Sequence, residues 1–218
     1  GFSNLTVVSV AQGTQDNVSL KQVILPETIY EISDSAFLNC AALERVDCYG
    51  PVELVGIRAF EMCTSLTDVV FHNNVRELGV YCFNKCESLK NVQLGNKLSR
   101  LPEGVFWGCG FEELVLTVPV TDGWAFKDCA KVRTIRVTPS VETLGEGVFQ
   151  GLTALERIAF ERADPEILGR GLNQFDFTLQ NMVVSLPADT PPETVQSFQQ
   201  ILKENMLPGD TMVVLESP

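Results

Sequence analysis

A phenylalanine recurs along the chain at a nearly constant interval, and this repeat constrains the fold more than any other feature. Successive phenylalanines are separated by 23, 23, 23, 20 and 23 residues, and they are Phe37, Phe60, Phe83, Phe106, Phe126 and Phe149. A cysteine follows three residues after each of the first five. An interval of this length is typical of a solenoid, in which each coil buries its apolar faces by stacking on its neighbours.

Each unit also contains a short segment in which apolar and polar residues alternate. The apolar pairs are Val23 and Leu25, Val46 and Cys48, Val69 and Phe71, Val92 and Leu94, Leu114 and Leu116, Ile135 and Val137, and Ile158 and Phe160. A period of two residues predicts a β-strand with one buried face. The repeats therefore predict a solenoid of about seven coils, with short parallel strands on one face.

The recurring motif around each phenylalanine is typical of a packed turn. In the first unit Ala36, Phe37 and Cys40 share one face of a predicted short helical turn. The cysteines then form a column of small apolar residues in the core. Because the chain has one histidine and zinc prefers four ligands in spaced pairs, we expect no metal and no other cofactor. Coil stacking would place equivalent thiols about 5 Å apart, which is unfavourable for disulfides.

The fifth unit departs from the repeat. In the other units two apolar columns follow each predicted strand, filled in the first unit by Ile29 and Ile32. The segment "TVPVTDGWAF" makes the fifth unit three residues shorter, and only Val118 and Val120 remain in that stretch. A shorter coil cannot follow the same path as its neighbours, so we expect a local bulge or a kink in the stack.

The full repeat resembles that of a known family. The segment "LPETIYEISDSAFLNCAALERVDC" is similar to the BspA-like class of bacterial leucine-rich repeats, and the resemblance covers residues 17–160. It implies an α/β leucine-rich-repeat solenoid from a surface or secreted protein. It also implies protein binding, including adhesion, as the function.

The chain is interpreted as a single domain over residues 1–218. Residues 1–16 form a predicted N-terminal strand cap, 17–160 contain the repeats, and 161–218 contain a repeat remnant and a strand–helix–strand cap. Such caps cover the open ends of the apolar stack. The predicted helix of the C-terminal cap carries one apolar stripe, formed by Val195, Phe198, Ile201 and Leu202.

Composition excludes several classes of function. The formal net charge of -12 argues against a nucleic-acid partner, which requires clustered Lys and Arg. No run of 18 apolar residues is present, so no membrane span is predicted. The opening "GFSNLTVVSV" lacks the regions of a signal peptide, and the secreted or surface location rests on the family resemblance. No constellation of nucleophile, base and orienting group is apparent, so we expect no catalytic residues and no enzyme.

The outward positions of the predicted strands form the candidate ligand-binding surface. These positions combine apolar residues with both signs of charge, as protein interfaces do. The candidate residues are Ile24, Asp47, Tyr49, Val70, His72, Gln93, Val115, Arg136 and Arg157.

Two functions remain compatible with this surface. The first is a protein-binding module, with a host extracellular or cell-surface protein as the partner and a monomer as the favoured state. The second is a spacer or stalk of a larger surface protein, with no specific ligand on this domain. Single exposed apolar residues are common on all proteins, so the sequence does not decide between the two functions.

Overall fold

The computed structural model describes residues 9–10, 14–71, 74–167, 182–205 and 212–216. Within these ranges sixteen short strands form two parallel ladders along a solenoid. The backbone makes about six turns, which is close to the predicted seven coils. The predicted solenoid with short parallel strands is confirmed.

The first ladder consists of the alternating segments. Its strands are β2 (Gln22–Leu25), β4 (Arg45–Cys48), β6 (Asp68–Val70), β8 (Asn91–Gln93), β10 (Glu113–Leu116), β12 (Thr134–Val137), β14 (Arg157–Phe160), β15 (Val183–Pro187) and β16 (Met212–Glu216). Neighbouring strands are parallel. Val46, Cys48 and Val69 point inward and are fully buried. The predicted strands and their buried face are therefore present.

The second ladder uses strands of only two residues. They are β1 (Ser9–Val10), β3 (Glu31–Ile32), β5 (Leu54–Val55), β7 (Glu77–Leu78), β9 (Arg100–Leu101), β11 (Val120–Thr121) and β13 (Thr143–Leu144). Each full-length repeat has two apolar positions after its first-ladder strand. Five of the two-residue strands end at the second of these positions, which Ile32 occupies in β3 and Val55 in β5. β1 pairs with β3 at the N-terminal end, where a strand cap is predicted. Residues 1–8 and 11–13 of that predicted cap lie outside the described residues.

Each coil closes through consecutive tight turns around its phenylalanine. Ala36 N–H donates to Ser33 C=O at 3.2 Å, a spacing of three residues, and this pattern recurs through the segment. The predicted helical turn is therefore replaced by a series of turns. The residues two before and two after Phe37 have positive φ, 55° at Ser35 and 56° at Asn39. In the sixth coil both of these left-handed positions are glycine, which adopts positive φ without strain: Gly147 and Gly151.

The phenylalanines form a continuous stack through the solenoid. Phe37 and Phe60 lie 5.1 Å apart between ring centroids, and Phe60 and Phe83 lie 5.2 Å apart, with nearly parallel planes. The stack continues to Phe106 and Phe126 with centroid distances of 5.5 Å. Offset stacking at such distances adds to the free energy gained by burying each ring, roughly 0.5–1.5 kcal/mol per pair.

The cysteine column is buried next to this stack, and its thiols have a role that the sequence does not reveal. Four thiols of the column donate to the carbonyl oxygen of the phenylalanine one coil earlier, as Cys63 does to Phe37 and Cys86 to Phe60, both at 3.1 Å. The first, Cys40, donates to Thr14 C=O at 3.0 Å. All seven cysteines are free and buried. The column therefore combines apolar packing with a repeated hydrogen bond between coils.

The first ladder is interrupted between β8 and β10. In the part of the chain that the structure describes, no strand pairing joins them, and most of their Cα atoms lie more than 8 Å apart. Paired strands are separated by about 4.8 Å, so β8 and β10 are not direct neighbours. The second ladder is interrupted one strand earlier in the chain, between β7 and β9.

Chain length explains the interruption. One residue separates Cys109 from Phe111, whereas two separate Cys86 from Leu89. Three residues separate β10 from β11, whereas five separate β2 from β3. Because both connections of β10 are shortened, it cannot occupy the place next to β8. The irregularity predicted for the short fifth unit takes this form.

The coils stay stacked on the phenylalanine side of the interruption. Phe83 N–H donates to Val105 C=O at 2.9 Å, and Lys85 N–H donates to Trp107 C=O at 2.7 Å. The stack therefore opens only on the side of the strands.

The C-terminal end contains the predicted strand, helix and strand. The helix, α1 (Pro192–Asn205), buries Phe198 and Leu202, and Val195 and Ile201 are partly buried. The ring of Phe198 meets that of Phe160 edge-on at 5.3 Å between centroids. The predicted apolar stripe therefore covers the last coil of the array.

Candidate functional site

The outward residues of the first ladder form one surface, here named the strand face. Ile24, Asp47, Val70 and Gln93 are direct partners across adjacent strands. Beyond the interruption the same row continues with Val115, Arg136, Ala159 and Ser185. The structure therefore brings the central predicted residues together in one row that is divided between Gln93 and Val115.

Apolar side chains on the strand face are strongly exposed. Ile24 and Tyr49 are each 61% accessible, and Val115 is 49% accessible. Val70, between Asp47 and Gln93 in the row, is partly buried. The strand face thus presents apolar side chains to solvent near β2 and β4 and again at β10.

The charges of the strand face are organised in pairs. Arg45 Nη2 lies 2.8 Å from Asp47 Oδ1, and Gln22 donates to the same carboxylate at 3.0 Å. Farther along, Arg136 pairs with Glu161 at 2.8 Å. These exposed pairs contribute little to stability, but they place polar groups around the apolar side chains.

Arg157 lies at the C-terminal end of the face and has a different environment. Its guanidinium donates to Ser185 Oγ at 2.8 Å and to Glu216 at 2.6 Å. Arg157 therefore links β14 to β15 and β16, which makes it a structural contact of the cap as well as a predicted surface residue. His72, the remaining predicted residue, lies outside the described residues.

The interruption of the first ladder creates a cleft that the sequence-based interpretation did not identify. The cleft has a volume of about 450 Å³ and lies between β8 and β10. Val70, Gln93 and Val115 of the predicted site line it. The three missing residues of the fifth unit are the sequence signal from which it could have been found.

The floor of the cleft is apolar and belongs to the core. Leu101, Phe106, Phe111 and Phe126 line it, and each is 4–6% accessible, whereas Phe60 in an uninterrupted coil is fully buried. The opening therefore exposes the edge of the core to solvent.

The buried thiols offer no reactive site. Burial raises the pKa of Cys63 and of Cys129 to about 12. Burial also raises the pKa of Cys82, Cys86 and Cys109 well above the ordinary thiol value. Because the thiolate is the nucleophile and metal ligand, thiols that remain protonated at neutral pH are inert. Among the residues that the structure describes, no group of three or more His, Cys, Asp or Glu side chains is arranged to hold a metal ion.

Comparison with protein families gives one match. The model of the BspA type leucine rich repeat region matches residues 8–122 and 117–181, with six copies of the repeat. A comparison with curated protein sequences gives no match.

Solved structures with the same fold come from several bacteria. The leucine rich repeat protein of T. pallidum (TpLRR) is 23% identical, with a TM-score of 0.65, over 88% of this chain and 87% of that one. A leucine-rich repeat protein from Bacteroides ovatus is 20% identical, with a TM-score of 0.50, over 82% and 58%. The pneumococcal vaccine antigen PcpA is 11% identical, with a TM-score of 0.52, over 96% and 75%. At these identities the likeness concerns the fold.

Proposed function

Because the chain belongs to the BspA-type leucine-rich repeat family, we propose that it is a non-enzymatic protein-interaction module of a bacterial surface or secreted protein. The family itself indicates a protein-interaction or structural module. The finer function that we infer is adhesion, or contact with a host or another cell, through the strand face.

One observation carries this proposal. Ile24, Tyr49 and Val115 expose apolar side chains on a regular sheet, next to the ion pairs formed by Asp47 and Arg136. Protein interfaces have an apolar centre surrounded by polar groups. The parallel ladder holds these side chains in fixed register, so little conformational entropy is lost when a partner binds.

A location outside the cell is part of the proposal. The chain shares its fold with the pneumococcal vaccine antigen PcpA, which supports a secreted or surface-exposed protein. The described residues include no helix with the length and hydrophobicity that a bilayer crossing requires. The net charge of -12 favours a protein partner over nucleic acid, and we expect the module to bind as a monomer.

The test compares binding to a panel of extracellular-matrix proteins and to epithelial cells. The strand-face variant carries Ile24→Lys, Tyr49→Ser and Val115→Lys. The matched control carries Tyr30→Ser, Ile57→Lys and Met62→Lys, which alter exposed residues of similar type away from the first ladder. Melting curves establish that all three proteins are folded.

The proposal predicts binding by the wild type and the control and its loss in the strand-face variant. Equal binding by all three proteins would place the interface elsewhere. Absence of binding by the folded wild type would favour the spacer or stalk function.

A further inference from the structure

The cleft between β8 and β10 is bounded by two strand edges that no strand of the described chain occupies. Phe71 N–H donates to Gln93 C=O at 3.0 Å, so Gln93 directs its backbone groups toward β6. Adjacent residues of a strand direct these groups to opposite sides, and Val92 therefore directs its N–H and C=O into the cleft.

The facing edge of β10 has the same property. Thr138 N–H donates to Leu116 C=O at 3.1 Å, which directs the backbone of Leu116 and of Leu114 toward β12. The backbone groups of Glu113 and Val115 consequently face the cleft. Both walls thus present alternating donors and acceptors, the arrangement with which a sheet edge binds an extended peptide.

The gap between β8 and β10 is wider than the spacing of directly paired strands. Most Cα atoms of β8 and β10 are separated by more than 8 Å, which exceeds the spacing of paired strands. One inserted strand between two others requires two spacings, about 9.6 Å.

The incomplete burial of two inward-facing side chains of the cleft also indicates that a neighbouring strand is absent. Val92 and Leu94 occupy the same repeat positions as Val69 and Phe71, which are fully buried. Val92 and Leu94 are only partly buried, although their side chains belong to the inward set. An additional strand with apolar side chains facing the floor would complete their burial.

The charges at the rim of the cleft indicate which side chains an inserted strand should carry. Asp68 and Glu113 line the opening, and Lys90, the basic residue among the lining residues, is paired with Glu112 at 3.2 Å. A hydrogen bond from Asn91 and another from Thr67 lower the pKa of Asp68, so this carboxylate is charged at neutral pH. The rim is therefore complementary to a basic side chain.

We propose that the cleft binds an extended peptide segment of a partner protein, inserted as a strand between β8 and β10. Alternate apolar side chains of the peptide contact Phe106, Phe111 and Phe126, and a Lys or Arg lies beside Asp68 and Glu113. This proposal rests on the proposed function as a protein-binding module, and it identifies a part of the partner and the mode of its recognition.

The test begins with selection from a phage-displayed library of random nonapeptides on the wild-type protein. Enriched sequences are expected to alternate apolar and polar residues and to include a Lys or Arg. The enriched peptide is then synthesised with a fluorescent label, and its affinity is measured by anisotropy for the wild type and two charge variants.

Glu113→Lys is the rim variant, and Glu27→Lys is its control, with the same change of charge at an exposed residue between β2 and β3, three coils away from β8. We expect affinity to fall about fivefold or more for the rim variant, because one ion pair is replaced by repulsion. Affinity for the control variant should remain within about twofold, since distant exposed charges are screened.

Backbone pairing has its own test. Methylation of alternate peptide nitrogens removes the donors that would reach one wall of the cleft, and we expect it to abolish binding. A protein with one residue added after Gly110 and two added between Leu116 and Val120 restores the 23-residue repeat. Such a variant should pair β8 with β10 and lose peptide binding while it remains folded.

Three results would overturn the proposal: no enrichment over the variant with the restored repeat, equal affinity for the rim variant and the wild type, or equal binding of the methylated peptide. If matrix proteins or cells still bound the wild type in any of these cases, the strand-face function would stand without the cleft. Loss of both kinds of binding would remove both proposals.

Discussion

The thiol of Cys63 donates a hydrogen bond of 3.1 Å to the carbonyl oxygen of Phe37, one coil earlier. The same carbonyl accepts the N–H of Cys40 at 3.1 Å, so both of its lone pairs are used. The column of cysteines therefore connects coils through hydrogen bonds as well as through packing. The effect of the hydrogen bond on stability can be measured by comparing cysteines that have an acceptor with one that has none among the described residues.

Serine at position 63 keeps an acceptor, whereas serine at position 82 does not. Cys82 is fully buried in the column occupied by Ala36 and Ala59, and the structure shows no hydrogen bond of its thiol within the described residues. We expect Cys63→Ser to lower the free energy of unfolding by about 1 kcal/mol, and Cys82→Ser by about 2–3 kcal/mol. Urea unfolding measures both, and Cys82→Ala is the control for lost volume. Equal losses would contradict the role of the thiol hydrogen bond.

The buried thiols should react slowly with a bulky thiol reagent. Their raised pKa values keep them protonated, and their burial excludes the reagent. Labelling should therefore become fast only when denaturant unfolds the chain. Rapid labelling of all seven cysteines in the folded protein would show that the column is accessible.

The same thiols predict a loss of stability in alkali. The ordinary pKa of 9.0 is raised to about 12 for Cys63 in the folded protein, so the unfolded chain loses this proton first. The stabilisation is complete below pH 9.0 and declines as the pH rises toward 12. Unfolding curves across this range should show a shallower decline for Cys63→Ala than for the wild type. Parallel declines would contradict the assignment.

Gly79 allows two coils to approach closely. A Cβ atom at this position would lie 2.3 Å from the backbone nitrogen of Ile57, which cannot move away without displacing its coil. We expect Gly79→Ala to destabilise the protein by roughly 2 kcal/mol or more. Gly123→Ala is the control, because its Cβ would meet no atom closer than 3.2 Å. A thermal melt of each variant decides the comparison.

The ion pair between Arg157 and Glu216 should make attachment of the last strand depend on pH. Hydrogen bonding to Arg157 lowers the pKa of Glu216 from its ordinary 4.5. The pair therefore stabilises the cap above pH 4.5, and this contribution is lost as the pH falls through the lower pKa of the folded state. Glu216→Gln should lower the melting temperature at pH 7, and this difference should shrink as the pH falls below 4.5. A difference that does not shrink on acidification would indicate another cause.

The regular part of the solenoid follows from the sequence. Seven coils were expected and about six turns are present, with the strands at the predicted alternating positions and five of the seven cysteines buried in one column. Local periodicity determines these features, because a regular repeat places each residue type in the same environment in every coil. The row of outward residues from Ile24 to Gln93 followed from the same argument.

Other features depend on how the coils meet. The sequence predicted an irregularity at the fifth unit, but only the structure shows that β8 and β10 separate and that the gap reaches Phe106 and Phe111. Contact between coils also determines three other features. These are the hydrogen bonds donated by the thiols, the contact of Arg157 with the C-terminal cap, and the turns around Phe37.

The sequence by itself determined the solenoid, because repeated apolar positions can be buried only by stacking. The tertiary structure decided where the stack opens, because a coil that lacks three residues must lose contacts with its neighbour on one side. Whether the phenylalanine side or the strand side loses them depends on the packing of both sides together.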